Sequence, residues 1–188
     1  RNPPSSFDGA QYEGVWLNRC LSAAYTPGSV FKLVTLAAAI ENLGDLSRRS
    51  FTCAGSVQAG GTTVHCTGAH GTQTIEQALA NSCNVAFAEL SLELGPDTLQ
   101  KYASALGLTE GHALDGIPTA AGRFDRAEAG SSDLAWSGIG QYNDLVCPYS
   151  ILRLVAAVAG GGTAKEPTLL KGGGGGRMTL LAPRTAEQ

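Results

Sequence analysis

From Ser29 to Leu43 the chain reads SVFKLVTLAAAIENL, a mostly apolar run that ends at Gly44. A helix that is hydrophobic on all sides belongs inside a layered core, and glycine is the usual residue just past a helix end. Lys32 breaks the pattern one turn from the start. An unpaired buried charge is costly, so the lysine needs a reason. Ser29 lies three residues earlier and shares its face of the helix. Pro27-Gly28 places Ser29 at the helix start, where free N–H groups and the positive dipole end favour developing negative charge. Desolvation lowers a lysine pKa, and a neutral amine can take the proton of a serine hydroxyl, which is otherwise a weak nucleophile. S-x-x-K is a weak pattern alone. On the tetrapeptide alone, a plain cap at Ser29 and a lysine that snorkels to water are the simpler explanation.

The 188 residues suffice for one domain with a core. A net charge of −3 without a basic stripe argues against nucleic acid as a partner. No apolar run approaches the ~20 residues needed to span a bilayer, and no signal peptide is evident. The abrupt ends, RNPPSSFDG and LLAPRTAEQ, read as those of a piece of a longer protein.

Downstream, FTCAGSVQAGGTTVHC (51–66) predicts a short hairpin around a Gly-rich middle. Thr74 and Gln77 form a capping-box pattern ahead of a helix. NVAFAELSLELG and PDTLQKYASALG predict two more helices, stopped by Gly95 and Gly107, with Asp97 as the cap of the second. Residues 108–135 read as loop. CPYSILRLVAAVAGGG predicts a strong helix with Pro148 in its first turn, and KGGGGGR at 171–177 reads as a flexible tract. The fold class is mainly α, with one hairpin.

Cys53 and Cys66 bracket the predicted hairpin and are candidates for a disulfide in an oxidising compartment. Cys20, Cys83 and Cys147 read as small buried residues. With no C-x-x-C pair and no metal-ligand spacing among the three histidines, the sequence predicts neither a metal site nor a cofactor.

Other motifs surround S-x-x-K. S-x-x-K with an S-x-N box marks penicillin-binding proteins and class A β-lactamases, and Ser82-Cys83-Asn84 follows Ser29 by about fifty residues. YTPGSVFK resembles the family's Y-x-P-G-S-x-F-K, and the NRC before it resembles the family's NR. HGTQTIEQALANSCNVAF resembles the run through its S-x-N box. WSGIGQYNDLVCPYSILRLVAAVAGGG resembles its G-Q loop, proline-led helix and closing glycines. The blocks keep the family's order, so residues 1–188 resemble part of the transpeptidase domain of a class B-like penicillin-binding protein.

The resemblance implies roles. Ser29 would be the acylated nucleophile, with its N–H as half of the oxyanion hole, and Lys32 its base. Ser82 would relay a proton, and Asn84 would hold the substrate's amide. The reaction implied is D,D-transpeptidation of D-Ala-D-Ala stem peptides of peptidoglycan, trapped by β-lactams, at the extracytoplasmic face of a bacterial membrane. Cell-wall synthesis proteins such as a glycosyltransferase would be partners. A β-lactam sensor or interaction module, and a β-lactamase-like hydrolase, are the alternatives. Glu166, in KEP, reads as a surface residue and not as a hydrolytic base. No K-T-G occurs in the 188 residues, so the family's five-stranded antiparallel sheet is expected to be mostly absent, and the piece to be feeble alone. The face of helix 29–43 meant for that sheet would then be exposed and drive self-association.

Overall fold

The computed structural model describes Gly14, residues 17–173 and residues 175–188; the PPSSFD stretch lies outside them. Seven α-helices dominate the described residues, and short strands form four two-stranded antiparallel sheets. The mainly α expectation therefore holds.

The apolar run opens as a 3-10 turn, Gly28–Phe31, and continues as α1, Lys32–Asn42. Four strands follow: β1 (Phe51–Cys53), β2 (Ser56–Ala59), β3 (Thr62–His65) and β4 (Gly71–Gln73). They are two nested pairs, not one hairpin. β2 and β3 pair through Val57 and Val64, while β1 reaches past them to pair with β4 through Phe51 and Gln73. Gly60 and Gly61 join the inner pair, both at positive φ (+53° and +78°). Such a two-residue turn matches the twist of its strands and demands residues that tolerate positive φ.

Thr74 caps α2 (Ile75–Ala80), and both bonds of its capping box with Gln77 form. Then come α3 (Asn84–Leu94) and α4 (Pro96–Ala105). Asp97 does not cap α4. Pro96 takes the first helical position, which suits its fixed φ, and Asp97 in the first turn pairs with Arg126 instead. The 108–135 stretch is mostly irregular, with a tiny pair β5 (Ala113–Leu114) and β6 (Ile117–Pro118). Ser131 caps α5 (Ser132–Ser137), a helix too short for its periodicity to show in the sequence. α6 (Pro148–Ala159) starts at its proline as expected. β7 (Thr163–Lys165) and β8 (Arg177–Thr179) pair across the glycine tract, which is thus the loop of a hairpin, and α7 (Pro183–Glu187) closes the chain.

α3, α4 and α7 pack around α1. Val34, Ala38 and Ala39 of α1 are fully buried, as are Phe87 and Leu90 of α3; each large apolar side chain so placed contributes roughly 1.5–3 kcal/mol. The expected bare face of α1 is narrower than the sequence implied. The chain around Leu181 and Ala186 covers part of it, leaving an open cleft of about 470 Å³ lined by Leu36, Ile40, Leu46, Ile75 and Leu79.

The chain before α1 is pinned from across the molecule. Tyr25 and Val146 exchange two backbone bonds, at 3.0 and 2.8 Å, and the Gly28 N–H donates to the Gly140 carbonyl at 2.9 Å. Gly140 sits at φ +71°, and a Cβ there would come within 2.3 Å of the Gly28 oxygen. Only glycine allows this approach. The Thr35 hydroxyl donates to the Gly138 carbonyl at 2.6 Å, so the SGIGQ run lies flat on the start of α1.

Candidate active site

Ser29 is exposed on the 3-10 turn, while Lys32, one turn on, is 1% exposed. The Lys32 amine does not snorkel. Four oxygens surround its Nζ: Ser29 Oγ at 3.2 Å, Ser82 O at 2.6 Å, Ser82 Oγ at 2.9 Å and Asn84 Oδ1 at 2.8 Å. The Phe87 ring lies beneath it, 5.8 Å from Nζ to centroid. The structure thus brings the four sequence-predicted residues Ser29, Lys32, Ser82 and Asn84 to one amine.

Local chemistry explains how Ser82 arrives there. α2 ends in a Schellman arrangement, in which Ser82 N–H donates to the Leu79 carbonyl and Cys83 N–H to that of Ala78. The motif needs a left-handed residue, usually glycine; Ser82 fills it at φ +51°, at a cost of about 1–2 kcal/mol. The bend turns both the Ser82 carbonyl and its hydroxyl onto Lys32. Asn84 opens α3. Its Nδ2 donates to the His65 carbonyl at 3.0 Å, which leaves Oδ1 to face the lysine.

Burial lowers the Lys32 pKa from its ordinary value, opposed by the nearby thiols of Cys66 and Cys83. An ammonium has three N–H donors, a neutral amine two and a lone pair. The Ser82 carbonyl and Asn84 Oδ1 can only accept, so in the neutral form they take both N–H groups. The lone pair then faces two hydroxyls, Ser29 and Ser82, either of which can donate to it. A neutral amine so placed could accept a proton from either hydroxyl.

The expected Cys53–Cys66 disulfide is not present: all five cysteines are free thiols. β1 pairs with β4, so the two cysteines do not face each other across one hairpin; they meet in a larger group. Cys53, Cys66, His70 and Cys83 hold their ligand atoms within 4.8 Å of one another. Cys66 and Cys83 sulfurs are 4.0 Å apart, and Cys66 Sγ lies 3.7 Å from His70 Nδ1. These residues are scattered over thirty positions, so no metal-ligand spacing shows along the chain; the C-x3-H step from Cys66 to His70 is the one local signal. Burial opposes ionisation of Cys66, but backbone N–H groups of Asn84, Val85, Gly68 and Thr67 converge on its sulfur and hold the thiol pKa well below the usual value. The Asn84 N–H is 3.1 Å from that sulfur. Cys83 and Cys147 are buried as expected, but Cys20 is exposed.

Glu166 is not the free surface residue that the sequence suggested. Arg153 donates to both its oxygens, at 3.0 and 2.7 Å, and also contacts His112. That ion pair lowers the Glu166 pKa and ties β7 to α6.

The arrangement has known counterparts. A family model described as the penicillin-binding protein transpeptidase domain matches residues 2–179. Stage V sporulation protein D of Bacillus subtilis is 34% identical over 163 residues, which cover 82% of this chain and 25% of that protein. Peptidoglycan D,D-transpeptidase PbpA of Mycolicibacterium smegmatis is 31% identical over 156 residues, 76% of this chain and 30% of the other. Among solved structures, the ceftriaxone acyl-enzyme complex of penicillin-binding protein A from M. tuberculosis superposes with a TM-score of 0.78 at 25% identity, covering 94% of this chain and 45% of that one. The chain spans only a quarter to a third of the length of these curated relatives. The match over residues 2–179, carried on the fold and motif order described above, shows that the chain belongs to the penicillin-binding protein transpeptidase domain family.

Proposed function

We propose that this chain is a partial transpeptidase domain that carries the acylation centre of a serine peptidoglycan D,D-transpeptidase. The observation that carries the reading is the buried Lys32 amine held between Ser29, Ser82 and Asn84. Neutral Lys32 takes the Ser29 hydroxyl proton as Oγ bonds to the carbonyl of the penultimate D-Ala of a stem peptide. The Ser29 N–H stabilises the oxyanion. The C–N bond to the terminal D-Ala then breaks, and Ser82 passes a proton from Lys32 to the leaving amine. A stem-peptide amine attacks the acyl-enzyme, forms the new amide and restores Ser29. Asn84 holds the substrate's amide side chain. In a β-lactam the leaving nitrogen stays tethered to the acyl group, so the ester persists. The similarity to a peptidoglycan D,D-transpeptidase and to a penicillin-binding protein captured as its ceftriaxone acyl-enzyme supports the same reading.

Such chemistry belongs outside the cytoplasm, beside proteins that polymerise glycan. No helix of the described residues is long and apolar enough to cross a membrane. Self-association through helix 29–43 would use the cleft around Leu36, Ile40 and Leu79. The sensor alternative keeps the same acylation step, and the hydrolase alternative loses Glu166 as a free carboxylate. Intact-mass spectrometry of the full-length protein after penicillin treatment tests the assignment. The wild type should gain one penicilloyl group and Ser29→Ala none; equal labelling of both would remove Ser29 as nucleophile.

A further inference from the structure

The geometry points to a structural zinc site formed by Cys53, Cys66, His70 and Cys83, next to the lysine centre. Four donors from three segments converge: Cys53 at the end of β1, Cys66 and His70 in the loop between β3 and β4, and Cys83 in the bend between α2 and α3. Tetrahedral zinc with Zn–S bonds near ~2.3 Å places its ligands about 3.8 Å apart. The 4.0 Å between Cys66 and Cys83 and the 3.7 Å from Cys66 to His70 already match that edge. All four donor atoms lie within 4.8 Å of one another, so small side-chain shifts close the remaining separations.

The donor set also fits. Three thiolates and one imidazole form a closed structural site of the kind soft ligands give zinc. Cys53 and Cys83 are 1% and 0% exposed, so the site excludes water on one side. The Asn84 N–H at 3.1 Å from Cys66 Sγ is an outer-shell donor of the kind that orients and stabilises a thiolate ligand. Local need is present too. The nested pairs β1–β4 and β2–β3 are three or four residues per strand, and sheets that small need a staple. Binding would release the thiol protons and leave His70 neutral, and the ion would lock this β-unit to the turn that carries Ser82 and Asn84.

Metal content of the full-length protein, purified under reducing conditions without chelator, tests the site. One zinc per chain is expected by elemental mass spectrometry. Exchange with Co²⁺ should give thiolate-to-cobalt charge-transfer absorption and the intense visible bands of a tetrahedral ion. His70→Cys should keep one metal with an altered cobalt spectrum, and Cys83→Ser should weaken zinc binding by at least about tenfold. Cys147→Ser, away from the cluster, should keep one metal. A folded protein with five titratable thiols and neither zinc nor cobalt bound would overturn the site. So would a disulfide between any two of the three cysteines in protein that takes up no metal on reduction. If Cys83→Ser fails to fold, the wild-type cobalt titration and His70→Cys still decide.

Discussion

Lys32 and Asp144 are both buried ionisable side chains, 1% and 0% exposed, yet their surroundings are opposite. Lys32 Nζ has four oxygens within hydrogen-bond reach. Neither oxygen of Asp144 has a partner among the described residues. Burial pushes the Asp144 pKa up to about 7, helped by Asp125 and partly offset by Arg123. The contrast separates two uses of desolvation. Around Lys32 it lowers the pKa of an amine that polar neighbours hold in place. Around Asp144 it only makes the charged form costly. The first is a built site, and the second is a local liability that the rest of the core tolerates.

The largest effect expected is at the lysine. Lys32→Met removes the proposed base and leaves the Ser82 carbonyl and Asn84 Oδ1 without their donor. Penicillin acylation of the full-length protein should slow by about 10²–10⁴-fold, measured by stopped-flow labelling. In the wild type the acylation rate should rise with pH along a limb whose midpoint lies below the ordinary lysine value, because burial lowers the Lys32 pKa. A midpoint at or above that value would mean the amine is not desolvated in solution.

Ser82→Gly separates strain from chemistry. Glycine accepts φ +51° freely, so urea denaturation should show unchanged stability or a gain of up to about 1 kcal/mol. The lost hydroxyl should still slow acylation by about 10²-fold. Retained acylation would assign Ser82 a purely structural place beneath Lys32.

Asp144→Asn should act in the other direction and on stability alone. The folded-state pKa of about 7 lies above the ~4 of an unfolded aspartate. The folded state therefore holds the proton more tightly, and stability falls as pH rises from about 4 to about 7. The neutral amide should stabilise the protein by about 1–3 kcal/mol at pH 8 and by almost nothing at pH 4. An equal shift at both pH values would show that packing, not charge, decides at this position.

Much of the site was legible because its elements are local. Ser29 and Lys32 are one helical turn apart, so spacing put them on a common face, while Ser82 and Asn84, which flank one cysteine at a helix junction, were marked by their resemblance to the family's S-x-N box. The capping box at Thr74–Gln77 and the proline at the start of α6 are equally local, and they formed as expected. β1–β4 pairing was not legible, because Phe51 finds Gln73 across twenty-two residues while a nearer partner, β3, was available in sequence. Strand pairing is decided by packing and by turns, not by proximity along the chain. The loop-like 108–135 stretch hid α5 for a different reason: six residues are too few to show a helical period.

By itself, then, the sequence determined an apolar helix with a serine and a lysine on one face, its mainly helical company, and the order of motifs shared with the family. Only the tertiary structure decided what the lysine touches and what the cysteines become. The bend at Ser82 aims both its oxygens at Lys32 because α2 ends in a left-handed turn against α3. Cys53, Cys66, His70 and Cys83 converge because two nested strand pairs close onto that same bend. Both outcomes rest on contacts between segments about thirteen to fifty residues apart, which packing of the whole core fixes and no local pattern encodes.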